Sequence, residues 1–300
     1  MTNYRDKYDK EQLQLRIMIK ERINENVNLI DSAVKGYFAL QDDDMKSLTD
    51  AQIYSISSGG KRIRPMLTLE VCRLFGGRDE AALQLGSAIE MVHTYSLIHD
   101  DLPCMDDDDF RRGNPTCHKI FGESGAVLAG DALLTYAFEV ISKGDIISDT
   151  DKIRAVRTLA EAAGTFGMVG GQVMDLRGDT ERLCLEKLTK MVSLKTGKLI
   201  EASAKLGCIA AGVDEGDERM TNICAYARNI GLAFQITDDI LDFENRTDPE
   251  TKTTFMTYYS VEEAKETVKA LTKSAIEHIA SYKGSEILTE LAEYLSKRLY

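Results

Sequence analysis

Gln235-Ile236-Thr237-Asp238-Asp239-Ile240-Leu241-Asp242 closes a run, Met220–Leu241, whose apolar residues recur at three- and four-residue steps. That period belongs to a helix with an inward face. Asp238 and Asp242 stand one turn apart and share a face, with Asp239 flanking and Gln235 one turn earlier. A second acidic string, His99-Asp100-Asp101-Leu102-Pro103-Cys104-Met105-Asp106, follows a similar run, Leu83–Ile98. Pro103 should end or distort that helix. The same period marks Ala126–Ile141, Ile153–Phe166 and Leu188–Ala211, and Met18–Leu40 reads as an amphipathic helix at the solvent edge. Alternating strand patterns are scarce. Turn signals fall between the helical runs, at Ser58-Gly59-Gly60, Gly76-Gly77, Arg112-Gly113-Asn114-Pro115, Gly170-Gly171 and Asn245–Pro249. The expectation is one all-α domain over residues 1–300, with ten or more helices and no flexible linker.

Composition narrows the function. A formal charge of −12, from 37 basic and 49 acidic residues, argues against a nucleic-acid surface. No uninterrupted membrane-length apolar run occurs, so stable membrane insertion is not expected. The opening Met1–Asp6 is polar and lacks an apolar signal core. The six cysteines are scattered without a Cys-x-x-Cys pair, as in reduced thiols of a cytoplasmic protein. Cys104, Cys117 and His118 lack a fourth ligand at zinc-like spacing.

The acids carry the chemistry. Carboxylates this close repel one another, and ionising all of them is costly without a cation between them. Oxygen-only clusters suit magnesium, which binds a few carboxylates, waters and substrate phosphates. Either cluster alone could be a solvated acidic face, and Asp107–Asp109 should be largely that; the pairing of two clusters favours a metal–diphosphate site. Cations gather nearby. Gly59-Gly60-Lys61-Arg62-Ile63-Arg64-Pro65 puts three of them at a probable helix start, where backbone N–H groups also favour anions. His93 precedes Asp100 by two turns, Arg111-Arg112 follow the acidic run, and Lys195-Thr196-Gly197-Lys198 interrupts an apolar helix. Gly170-Gly171-Gln172-x-x-Asp175 is weak alone, since its glycines could simply permit close helix packing.

Taken in order, Gly59–Pro65, His93–Gly113, Gly130-Asp131-Ala132-Leu133, Gly171–Asp175, Lys195-Thr196-Gly197 and Phe234–Asp242 resemble the trans-isoprenyl diphosphate synthases, the polyprenyl synthetase family, over most of the chain. The four-residue gap between Asp101 and Asp106 resembles the bacterial and plant-type short-chain enzymes. The resemblance implies a helical bundle of the isoprenoid synthase type with a central apolar tunnel. It implies condensation of isopentenyl diphosphate with an allylic diphosphate, in a cytoplasmic homodimer. Asp100, Asp106 and Asp238 would hold magnesium, three ions per active site with manganese as an alternative, and Asp101, Asp239 and Asp242 would support them. Arg111, Lys195 and a lysine after the second cluster would neutralise the departing diphosphate. Lys61, Arg64, His93 and Arg112 would bind isopentenyl diphosphate, Gln172 would contact substrate, and Thr196 and Gln235 would sit near the developing carbocation.

Product length turns on Tyr95 and Ser96. Tyr95 stands five residues before Asp100, about 7.5 Å down the helix, and its rotation leaves it off to one side. It could be a packed core tyrosine; in the family an aromatic here resembles the floor that stops elongation at fifteen carbons. Farnesyl diphosphate is the expected product, with geranylgeranyl diphosphate as the alternative because Ser96 is small. The chain departs from the family in Phe243–Ser260, which is short and holds one lysine, Lys252, where the family has two. Two rivals have other signatures. A non-catalytic partner subunit tends to lose an Asp cluster, and a terpene cyclase carries an Asn/Ser/Glu second motif.

Overall fold

The computed structural model describes residues 20–39, 42–178, 181–245 and 252–296. Met1–Asp6, the ends of Met18–Leu40 and much of Asn245–Pro249 lie outside these described residues. The chain is helical almost throughout. α1 (residues 20–36), α2 (Lys46–Ser57), α3 (Ile63–Leu74), α4 (Asp79–Asp100), α5 (Cys117–Ser142) and α6 (Asp149–Ala163) make the first half. α7 (Met168–Gly178), α8 (Leu185–Val192), α9 (Lys198–Ala210), α10 (Glu218–Asn245), α11 (Val261–Ile279) and α12 (Glu286–Ser296) complete it.

α1 is amphipathic as its pattern requires: Asn26, Ile30, Val34 and Phe38, four residues apart, are buried. α4 is buried on nearly every side and runs between α3, α5 and α9. Its polar side chains therefore need partners. Gln84 donates to the carbonyls of Val140 and Lys143, both at 2.7 Å, capping the end of α5. Gly207 lets α9 cross α3 closely; a β-carbon there would lie 2.6 Å from the carbonyl oxygen of Thr68. The last helices are capped by rule. Ser260 and Glu263 form a reciprocal capping box at the start of α11.

Three departures from the helical pattern matter. The run Leu188–Ala211 is two helices, α8 and α9, joined by a π-helical turn, Ser193–Gly197. The apolar run Ile153–Phe166 stops early, at Ala163, and turns through Gly164 into α7. Between α4 and α5 lies a minimal antiparallel hairpin, β1 (Phe110–Arg111) with β2 (Asn114–Pro115). Arg112 and Gly113 at its tip have φ of 54° and 81°, as the tight turns of hairpins require.

One helix, α5, is long and apolar enough to cross a membrane by length and composition. The expectation of no such run has to be corrected on that criterion. Gly122, at φ 76° and ψ 163°, breaks it internally, and Glu123, Asp131 and Glu139 lie along it.

Candidate active site

The first acidic cluster exists because α4 runs out. Asp101 is its last α-like residue, and Pro103 forbids continuation. The chain folds back, so that the Asp106 N–H donates to the Asp100 carbonyl at 2.9 Å. Asp100 is part-buried, and burial pushes its carboxyl up to about 6; Lys195 opposes this and Asp106 adds to it. A carboxylate at the C-terminal end of a helix also meets the negative end of the dipole. The neighbouring Asp106 and the helix end favour a cation at this spot, while Lys195 already supplies part of that charge. Asp101 faces the other way. It is buried and ion-paired with Arg111, Nε at 2.6 Å and Nη2 at 2.5 Å. The two residues hold the hairpin against α4, a tie that the spacing alone did not reveal. Arg111 also reaches Asp108 at 3.6 Å, and Asp109 pairs with Lys119 at 2.5 Å, so the outer acids are neutralised at the surface.

The second cluster lies in the last turns of α10. Asp238 and Gln235 line a polar cavity opposite Thr196 of the π-turn. Asp239 accepts the backbone N–H of Phe255 at 2.7 Å. Phe255 is buried in a small separate core with Ile236, Ile240 and Val268. That contact clips the segment following the acids back onto their helix. Asp242 is exposed, as is Lys252, and residues 246–251 lie outside the described residues.

Two cavities meet at this point. The polar one, about 930 Å³, is lined by Lys61, Arg64, Glu90, His93, Arg111, Arg112, Thr196, Gln235 and Asp238 among others. The apolar one, about 540 Å³, is lined by Tyr95, Ser96, Asp100, Met105, Met168, Val169, Gln172, Val173, Leu176 and Lys195 among others. Arg64, His93, Leu97 and Thr196 belong to both.

In the polar cavity, Arg64 is lowered to about 10 by burial, with Glu90 supporting its charge and Arg112 opposing it. Its Nε has no hydrogen-bond partner. Burial, then the surrounding arginines, holds His93 well below the ordinary histidine range, so it is a neutral donor or acceptor. Arg112 donates to the carbonyl of Gly59, and Lys61 lies over the Tyr294 ring at 5.3 Å. The count of three cations in Gly59–Pro65 needs correction: Arg62 is buried and bound to Asp31 and Glu90. Glu90 was not anticipated. Its signal was available, since it precedes His93 by one helical turn.

In the apolar cavity, Tyr95 is 6% exposed and packs edge-on against His99, centroids 5.7 Å apart. Burial and then Asp100 raise its hydroxyl to about 12, so it stays protonated. Ser96 Oγ donates to the His93 carbonyl at 2.8 Å. Lys195 Nζ contacts Asp175 at 2.5 Å, a partner that the sequence contained without an assigned role. Gln172 presents a buried, unpartnered Nε2 to this region. A β-carbon on Gly171 would collide with the Lys195 backbone. Close packing therefore accounts for that glycine.

A family description, polyprenyl synthetase, matches residues 45–291. The chain belongs to the polyprenyl synthetase family. It is accordingly a prenyltransferase of the all-α isoprenoid synthase fold. This polyprenyl synthetase is 42% identical over 265 residues to farnesyl diphosphate synthase of Bacillus subtilis (strain 168), covering 84% of this chain and 89% of that one. It is also 42% identical over 267 residues to the large subunit 1 of a heterodimeric geranylgeranyl pyrophosphate synthase of Arabidopsis thaliana, covering 83% and 71%. The apo crystal structure of an FPP/GFPP synthase from Zymomonas mobilis superposes with a TM-score of 0.87 at 38% identity, covering 93% and 99%.

Proposed function

We propose that this prenyltransferase condenses isopentenyl diphosphate with dimethylallyl or geranyl diphosphate and releases farnesyl diphosphate. The observation that carries this reading is the junction of the two cavities at Arg64, His93, Leu97 and Thr196. A basic chamber suited to one diphosphate adjoins an apolar chamber that carries Asp100 and is lined in part by Tyr95.

Magnesium fits the donor set. Among the described residues no three His, Cys, Asp or Glu side chains converge on a single point. Each ion would take one or two carboxylates, with waters and substrate phosphate supplying the rest, which is the usual habit of magnesium. Asp100, Asp106 and Asp238 would be the direct ligands, three ions per site, with manganese as an alternative; Asp239 and Asp242 would act in support, and Asp101 through Arg111. Bound metal neutralises the departing diphosphate. The protein does the remainder. Lys195 and Arg111 add positive charge at the leaving group, and Lys252 is the candidate for the same task from the loop side. Lys61, Arg64, His93 and Arg112 bind and orient isopentenyl diphosphate without metal. Thr196 and Gln235 present polar oxygens where the allylic carbon becomes positive, and Gln172 contacts the allylic substrate. The apolar walls exclude water that would quench that cation. The departing diphosphate can take the final proton. Tyr95 and Ser96 end the chamber.

The reading extends to a single domain over residues 1–300 and a cytoplasmic homodimer that binds neither nucleic acid nor membrane. Ile120, Val127 and Leu128, 51%, 39% and 59% exposed on α5, support a second copy packing there. One observation favours geranylgeranyl diphosphate instead: Val127, Val169 and Val173 line the apolar chamber yet remain partly exposed, a sideways path past Tyr95. A slow or regulatory subunit is the other alternative, and two intact acidic clusters weigh against it. Labelled isopentenyl diphosphate with dimethylallyl or geranyl diphosphate and magnesium decides the matter. Fifteen-carbon product is expected. Dominant twenty-carbon product overturns the farnesyl assignment, and no product overturns catalysis.

A further inference from the structure

Arg62 sits in the middle of the basic string and borders the polar cavity, but its guanidinium is engaged by protein acceptors. It is 4% exposed. Its backbone is left-handed, φ 49° and ψ 35°, at the residue that starts α3. A non-glycine residue holds that conformation only when its surroundings enforce it. The enforcing contacts come from three helices. Nε donates to Asp31 of α1 at 2.6 Å, Nη1 to Glu90 of α4 at 2.7 Å, and Nη2 to the Ile56 carbonyl near the end of α2 at 2.5 Å. The planar fork of a guanidinium suits three acceptors in fixed directions, and a lysine cannot reproduce it. Lys61 and Arg64, on either side of this fixed point, line the polar cavity, which Arg62 also borders. Glu90 does two jobs: it accepts from Arg62, and its charge supports Arg64 and Arg112. Asp31 lines neither cavity.

We propose that Arg62, clamped between Asp31 and Glu90, is a positioning residue for isopentenyl diphosphate, fixing the loop that presents Lys61 and Arg64 without touching the substrate itself. This rests on the assignment of the polar cavity to that substrate. A residue that only braced the fold would act differently. Its loss would lower stability and the active fraction, leaving both KM values alone.

Arg62→Lys keeps the charge and loses the fork. Asp31→Asn loosens the clamp from outside the site and is the milder change should Arg62→Lys fail to fold. The full-length variants are assayed for kcat and for KM of each substrate, and for binding of inorganic diphosphate in chelator by calorimetry. Arg62→Lys should raise KM for isopentenyl diphosphate ~10-fold, and Asp31→Asn about threefold, as expected for a lost charged fork and a weakened partner. The allylic KM and kcat should stay within about twofold in both. Metal-free inorganic diphosphate should bind more weakly in the same order. Unchanged isopentenyl KM in folded Asp31→Asn, or equal rises for both substrates, overturns the proposal. If the wild-type protein makes no prenyl product, the functional assignment fails, and the clamp is still judged by calorimetry: equal inorganic diphosphate affinity in wild type and both variants overturns it.

Discussion

The polar and apolar cavities share four residues yet are built on opposite principles. The polar one concentrates arginine and lysine within a chain of formal charge −12. Repulsion is limited there by one buried carboxylate, Glu90, and by a histidine kept neutral. The apolar one sets a single carboxylate, Asp100, near Lys195 and is otherwise lined largely by hydrocarbon. The difference teaches how two chemically similar anions can be told apart. On the proposed reading, one chamber would recognise diphosphate by charge that the protein already holds, and the other would need a cation at Asp100. The two cavities share the seam at Leu97 and Thr196.

The largest expected effect comes from breaking the acids, Asp100 on the apolar cavity and Asp238 on the polar one. Asp100→Ala or Asp238→Ala should lower kcat by about 10²-fold or more, the scale for removing one element of charge stabilisation, while circular dichroism stays helical. Chelator should abolish turnover, and full activity in chelator would remove metal from the reading. Protons should compete with metal at Asp100, so the magnesium requirement should climb as pH falls toward 6.

A smaller effect separates the chambers. Arg64→Ala should raise KM for isopentenyl diphosphate by ~10–100-fold, since hydrogen bonds to charged groups contribute about 1.5–3 kcal/mol. Lys195→Ala should act chiefly through the allylic substrate. If Arg64→Ala raised only the allylic KM, the two assignments would have to be exchanged. Burial and then the surrounding arginines hold His93 well below the ordinary histidine range, which favours its neutral form. The isopentenyl KM should show no histidine inflection near pH 6.5.

Tyr95→Ala tests the end of the apolar chamber. It should shift products to twenty carbons or more at some cost in stability, about 3 kcal/mol by comparison with other buried aromatic truncations. Product analysis with a melting curve reads both, and an unchanged fifteen-carbon product would remove Tyr95 as the floor. The smallest effect is expected at Lys252, which is exposed. Lys252→Ala should lower kcat by several-fold, within the ~10-fold scale of a solvent-screened charge near a leaving group. A silent substitution would show that the short loop has lost the task.

Much of the site was legible in the chain. The acids stood at helical spacing, the glycines and prolines marked the turns, and the cations clustered by string. What misled was proximity in sequence. Arg62 lies between two anion-facing residues, but its partners, Asp31 and Glu90, are about thirty residues away on either side. Asp101 follows Asp100 directly, yet turns to Arg111 because the helix ends between them. The Lys195 turn was seen as an interruption, and its π-helical form depends on Gly171 packing against it from another helix.

The sequence by itself determined the helices, their ends and the chemical types at the site. Period, proline and glycine act through local sterics and through burial of one face, and both are properties of neighbours in the chain. Tertiary structure decided which charges line the cavities and which are engaged by other helices. It also placed Tyr95 in the buried core and at the wall of the apolar cavity at once. Those outcomes depend on desolvation and on partners contributed by other helices. The energy of a buried guanidinium or carboxylate is set by what packing brings within about 3 Å of it, and no local pattern encodes that.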